Sequence, residues 1–173
     1  MTNAFIFPGQ GSQKVGMGKD LYDNFPVAKE VFQEVDDALS INLSRIIFEG
    51  EEEELKLTIN TQPALMTVSF AIVRVIEEFI GKNISEVGKF TAGHSLGEYL
   101  ALVSARSIKL KDTAKILRLR GEFMQNAVPL NFGAMAALIG VGTNIVEEIR
   151  LKYLEKDEII DIGNDNAPGQ FVI

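Results

Sequence analysis

Lys89-Phe90-Thr91-Ala92-Gly93-His94-Ser95-Leu96-Gly97-Glu98-Tyr99-Leu100-Ala101 is the stretch on which the fold turns. Lys89 to Ala92 reads as a strand, Gly93 to Gly97 as a sharp turn, and Glu98 to Ala105, apolar on nearly all sides, as a buried helix. That succession belongs to the α/β class. The turn spells G-x-S-x-G at 93–97. Glycines flank a serine in this way where the backbone packs too closely for side chains, and the tight turn exposes the hydroxyl at a helix N-terminus. Backbone N–H groups and the helix dipole there can stabilise an oxyanion. Ser95 is therefore the candidate nucleophile; the competing reading is a purely structural turn.

Upstream, Ala4 to Phe7 is a short apolar strand stopped by Pro8-Gly9. Glycines follow at 9, 11, 16 and 18. The segment Gly9-Gln10-Gly11-Ser12-Gln13 fails as a phosphate loop: Lys14 stands where a dinucleotide fingerprint has its third glycine, and Met17-Gly18 replaces the Lys-Ser or Lys-Thr of a nucleotide loop. It reads as a compact turn that holds Gln10 where its amide or backbone N–H can reach a neighbouring site. Asp20 to Leu39 is one or two helices, with Val27, Val31, Phe32 and Val35 at helical spacing. Glu51 to Glu54 is a solvated acidic cluster near the start of a short helix. Pro63 sits near the start of a largely buried helix, Ala64 to Phe79.

Downstream, Asp112 to Ala127 reads as an amphipathic helix closed by Pro129. A helical projection puts Lys111, Lys115, Arg118, Glu122 and Gln125 on a polar stripe, and Ile116, Phe123, Met124 and Ala127 on the opposite one with Arg120 in its middle. An inward arginine requires an anion, because an unpaired buried charge is heavily penalised. That anion is either a structural carboxylate or a substrate carboxylate held by the planar guanidinium fork. His94, beside Ser95 on a sharp turn, reads as a structural, hydrogen-bonded residue and not as its base. No histidine follows Ser95, so a hydrolase triad in the order Ser, Asp or Glu, His is not available. The remainder reads as strand Ala134 to Gly140, helix Val146 to Leu154, strand Glu158 to Ile162, a turn Asn164 to Gly169, and strand Gln170 to Ile173. The chain stops inside an apolar run, from which we expect a portion of a longer protein.

The chain has 173 residues, with 17 Lys plus Arg against 24 Asp plus Glu, a net charge of −7. The length suits one domain with a small second lobe. The charge argues against a nucleic-acid partner. Zero cysteines excludes disulfides, thiolate metal sites and a cysteine nucleophile, and a single histidine excludes a metal site of several imidazoles. The N-terminus lacks the pattern of a signal peptide, and the longest apolar stretch, Ala64 to Val73, is about half of a bilayer span. A cytoplasmic protein without membrane partner, metal or cofactor is expected.

Five separated motifs occur in order: Phe7-Pro8-Gly9-Gln10-Gly11-Ser12-Gln13, Thr61-Gln62-Pro63-Ala64, Gly93-His94-Ser95-Leu96-Gly97-Glu98-Tyr99, Arg120-Gly121 with Phe123-Met124-Gln125, and Asn164 to Gln170. Together they resemble the malonyl-CoA:acyl carrier protein transacylase family over the whole length of the chain. The resemblance implies an α/β-hydrolase-like large subdomain, incomplete here and begun by residues 1–128, with the start of an inserted ferredoxin-like small subdomain at 129–173. It implies that Ser95 carries malonyl as an ester between malonyl-CoA and the phosphopantetheine thiol of acyl carrier protein. Gln10 and Leu96 would supply oxyanion-hole N–H groups, and Arg120 would bind the malonyl carboxylate. The family's catalytic histidine and the later glutamine that holds it have no counterpart in this chain. Leucine at position 96 fits members that prefer malonyl. Arg106 stands where relatives usually carry glycine. A protein of this kind is expected to be a monomer when complete. Two other readings remain open from the sequence: a shortened non-enzymatic remnant that binds acyl carrier protein or a partner subunit, and a serine hydrolase of related fold.

Overall fold

The strand expected at the N-terminus forms as β1 (Asn3–Phe7) and runs into the glycine-rich turn after Pro8. The computed structural model describes residues 3–128, 132–155 and 159–173. After the turn come α1 (Lys19–Asn24) and α2 (Pro26–Leu39). Pro26 separates them: it has no N–H with which to continue α1, and its fixed φ suits the first position of a new helix. Ala28, Val31, Phe32 and Val35 form the buried face of α2. A short helix that the periodicity does not reveal, α3 (Leu43–Glu49), starts at Asn42, whose side chain accepts from the Arg45 N–H. The acidic cluster opens α4 (Glu52–Lys56), where Lys56 bridges Glu52 at 3.0 Å and Glu53 at 3.1 Å.

The central element is α5 (Thr58–Ile80), buried along most of its length against α2. It begins at Thr58 rather than at the expected Ala64, and Pro63 lies inside it. Polar residues ahead of the expected start fasten its first turns to α4: the Asn60 amide donates to the Glu54 carbonyl at 2.8 Å and the Thr61 hydroxyl to the Leu55 carbonyl at 2.6 Å. After α6 (Ile84–Val87), β2 (Gly88–Gly93) pairs in parallel with β1, Phe7 opposite Gly93. Two helices, α7 (Leu96–Ser104) and α8 (Leu110–Asn126), follow and pack on α5. The chain divides into two compact units, Met1–Ala127 and Val128–Ile173.

The face assigned to α8 from its apolar spacing is corrected. Leu110, Thr113, Ala114, Leu117 and Gly121 are the buried residues, whereas Ile116, Phe123, Met124 and Ala127 are exposed. Small residues decide the matter. A Cβ on Gly121 would lie 2.6 Å from both the Ile59 Cα and the Thr58 carbonyl oxygen, so α8 approaches α5 through its glycine. Pro129, expected to close this helix, lies outside the described residues.

In the second unit β3 (Ala137–Ile139) precedes α9 (Thr143–Tyr153), and β4 (Asn164–Ala167) with β5 (Gln170–Val172) completes an antiparallel sheet ordered β3-β5-β4. The strand expected at Glu158 to Ile162 is not formed by residues 159–162, and Glu158 lies outside the described residues. The strand falls at Asn164–Ala167, where a turn was expected, and the turn shrinks to Pro168-Gly169, with Gly169 at φ +80°. Arg150 accounts for part of this. Its Nε donates to the Ile160 carbonyl at 2.8 Å and its Nη2 to Asp161 at 2.6 Å, which commits that backbone to a side chain instead of a ladder.

Among the described residues no helix is long and apolar enough to cross a membrane, and no group of three or more His, Asp or Glu side chains is placed to hold a metal ion.

Candidate active site

The site is built at the C-terminal ends of β1 and β2. The His94 N–H donates to the Phe7 carbonyl at 3.1 Å, continuing the pairing of the two strands by one residue. The chain then reverses. Ser95 sits at φ 56°, ψ −114°, a backbone conformation that L-residues rarely adopt, and it immediately precedes α7. Such strain persists only where the surroundings enforce it. Here they do: a Cβ on Gly93 would lie 1.9 Å from the Gly97 carbonyl carbon, and one on Gly97 would lie 2.6 Å from the Phe7 carbonyl oxygen. Both glycines of G-x-S-x-G are thus required by backbone contact. The Gly97 N–H donates to the His94 carbonyl at 2.9 Å and the Glu98 N–H to the Ser95 carbonyl at 3.1 Å, closing the turn.

The consequence is a serine exposed at the head of a helix whose own side chains Leu96, Leu100, Ala101 and Val103 are buried. Leu96 is the first helical residue, a position whose N–H has no intrahelical acceptor. The helix dipole adds partial positive charge at the same end.

A second wall comes from α5 and α8. Arg120 is half-buried; its Nη2 donates to Ser95 Oγ at 3.0 Å and its Nη1 to the Gln62 side-chain oxygen. Its guanidinium carbon lies 5.9 Å from the centre of the Tyr99 ring, a cation–π distance. Among the described residues no carboxylate forms an ion pair with Arg120. Thr58 and Gln62 stand four apart on α5 and share a face. Thr58 Oγ1 accepts from the Gln10 amide at 3.3 Å, and Gln62 holds Arg120. The loop after β1 abuts the serine turn, since a Cβ on Gly9 would lie 2.6 Å from His94 Nδ1.

The structure therefore brings Ser95, Leu96 and Arg120 to one place and tethers the Gln10 side chain to the same helix that positions the arginine. Arg118, assigned to the polar stripe, is half-buried as well and donates to Asn60 at 2.6 Å; burial pushes its guanidinium below its ordinary value, opposed by Glu122. Sequence reasoning quoted Gln62 and Tyr99 without giving them a part. Their signal in the sequence is position alone, a polar residue beside Pro63 and an aromatic ring one turn from the serine.

The sequence matches the acyl transferase domain over residues 4–168. The chain belongs to the acyl transferase domain family. Individual relatives agree. It is 50% identical over 170 residues to the malonyl CoA-acyl carrier protein transacylase of Bacillus subtilis (strain 168), covering 98% of this chain and 52% of that protein. It is 45% identical to the transacylase of the same name from Haemophilus influenzae, over 98% of this chain and 53% of that one. Among solved structures, the acyl-carrier-protein-S-malonyltransferase of Bartonella henselae superposes with a TM-score of 0.90 at 55% identity, over 99% of this chain and 54% of that chain. A malonyl-transacylase in complex with a type II PKS acyl-carrier protein superposes with a TM-score of 0.87 at 43% identity, over 99% of this chain and 54% of that chain. The chain thus spans about half the length of the relatives it matches.

Proposed function

We propose that the protein transfers malonyl from malonyl-CoA to the phosphopantetheine thiol of acyl carrier protein, in cytoplasmic fatty-acid biosynthesis. The observation that carries this reading is the approach of the Arg120 guanidinium, which has no carboxylate partner among the described residues, to 3.0 Å from the Ser95 hydroxyl. A fixed cation beside a nucleophile suits an acyl group that ends in a carboxylate. In the first step Ser95 Oγ attacks the thioester carbonyl, its proton passes to a base, the C–S bond breaks and coenzyme A leaves as the thiol. In the second the carrier's thiol attacks the ester carbonyl, the C–O bond breaks and Ser95 recovers its proton. The N–H groups of Leu96 and Gln10 receive the negative charge that develops on the carbonyl oxygen in both steps, and Arg120 grips the far carboxylate. The base is assigned to a histidine from outside residues 1–173, with a glutamine holding it.

The named relatives support the substrates, and the malonyl-transacylase solved with an acyl-carrier protein supports the acceptor. In this reading residues 1–128 begin an α/β-hydrolase-like subdomain, 129–173 begin an inserted ferredoxin-like one, no cofactor takes part, and the complete protein acts as a monomer. A hydrolase of neutral esters leaves Arg120 without a role. The test is intact-mass measurement of the full-length protein after incubation with malonyl-CoA. One malonyl group is expected on Ser95 and none on the Ser95→Ala variant; labelling that persists in the alanine variant overturns the assignment.

A further inference from the structure

Arg120 is a half-buried cation, and a cation in that position ordinarily recruits a carboxylate. Its buried partner here is instead the neutral side chain of Gln62, which is fully buried. The orientation of that amide is set from its other side: Gln62 Nε2 donates to Met124 Sδ at 3.3 Å. A thioether accepts a hydrogen bond and cannot donate one. The sulfur therefore selects the NH₂ end of the amide and leaves the oxygen for the guanidinium. A flipped amide would set donors against donors at Arg120. Gln62 thus fixes one arm of the guanidinium fork while adding no negative charge, and the other arm reaches Ser95.

We propose that Gln62 is a specificity-determining positioning residue, whose neutral carboxamide aims Arg120 at the acyl site and keeps its charge available for the free carboxylate of a dicarboxylic acyl group. This rests on the transacylase reading above and adds to it the reason for a charged over a neutral acyl chain. Glutamate at position 62 has nearly the same shape and still accepts from Arg120. It forms a closed ion pair, however, and an arginine already neutralised has less to offer a second carboxylate.

The experiment compares ester formation on Ser95 from malonyl-CoA and from acetyl-CoA in the full-length wild type, Gln62→Glu and Gln62→Met. For Gln62→Glu the KM for malonyl-CoA is expected to rise about 10- to 100-fold, the range for loss of a charge-assisted hydrogen bond. The constants for acetyl-CoA should move little, so that the preference for malonyl collapses. Gln62→Met conserves volume and leaves the arginine cationic, so it lowers loading from malonyl-CoA but keeps that acyl group preferred. An equal fall for both thioesters in Gln62→Glu, or an unchanged preference there, overturns the proposal. So does undiminished loading from malonyl-CoA in Gln62→Met, which decides the question even should the glutamate variant fail to fold. Failure of the transacylase reading would look different: the wild type itself would form no ester.

Discussion

Gly97 shows what a single hydrogen atom in place of a side chain makes possible. The atoms that a Cβ would strike there, the carbonyl oxygens of Phe7 and Pro8 at 2.6 and 2.7 Å, belong to the backbone of the paired strand and its loop and have nowhere to go. Gly97→Ala is accordingly expected to lower stability by about 3 kcal/mol or more, the upper range for overpacking, read as a fall in the urea midpoint of the full-length protein. At this scale the sequence was informative where a contact is obligatory. Gly93, Ser95 and Gly97 could be read because no other spacing lets the turn close. Arg120 was found by an argument with a wrong premise. The buried face of α8 is made by Leu110, Thr113, Ala114, Leu117 and Gly121, in which a polar threonine and two small residues dilute the apolar signal, and not by Phe123 and Met124. The arginine is inward because it flanks Gly121, where the two helices come nearest.

Among the elements, the end of α7 is instructive. Arg106 adopts φ 61°, the left-handed conformation that glycine takes without strain, and the Arg106 and Ser107 N–H groups donate back to the carbonyls of Val103 and Leu102, at 2.9 Å each. The side chain offsets the strain: it pairs with Glu77, whose side chain is 8% exposed, donates to Asn83 at 3.0 Å and lies over the Phe70 ring. Three proteins should therefore rank in thermal midpoint as wild type, then Arg106→Gly, then Arg106→Ala. Alanine loses the ion pair and keeps the strained backbone, so it should fall below glycine by about 1 kcal/mol. The same region holds α6, whose start is a reciprocal cap between Asn83 and Glu86. The hydrogen bond from the Asn83 N–H, followed by that from its amide, holds the Glu86 carboxyl below its ordinary value. A depressed carboxyl adds stability above the unfolded-state value and loses it as pH falls through the folded one. The stability advantage of wild type over Glu86→Ala should shrink on acidification below about pH 4.5, measured by urea unfolding at a series of pH values. Short helices such as α3 and α6 escape periodicity because one or two turns carry too little of a repeat, although the Asn83-x-x-Glu86 box was present to be read. β4 escaped for the opposite reason, since Asn164–Ala167 is exposed throughout and shows no alternation.

For the molecule as a whole, the α/β order and the place of the serine turn could be read from the sequence, because long buried helices and a glycine-locked turn leave strong local marks. The pairing of β1 with β2 is not written locally. It depends on residues far apart in the chain, and so does the meeting of Gln62 with Arg120. The match to about half the length of its relatives bears on activity. On the proposed transacylase reading, with its base outside residues 1–173, a polypeptide of residues 1–173 alone should load malonyl about 10²- to 10⁴-fold more slowly than a protein that carries that base, the usual contribution of a positioned proton acceptor. Single-turnover kinetics of the two checks this, and equal rates would refute the assignment of the base to a later segment.

The parallel register sets Phe7 opposite Gly93. During synthesis the first strand leaves the ribosome without its neighbour and waits while about 85 more residues are added, roughly 4 to 17 s at about 5–20 residues per second. The serine turn follows directly on that late neighbour, so the Ser95 hydroxyl is set in place only after the helices between the two strands have been made. The nascent chain carries that strand unpaired through the interval, with Phe7, the one buried residue of β1, waiting for its cover.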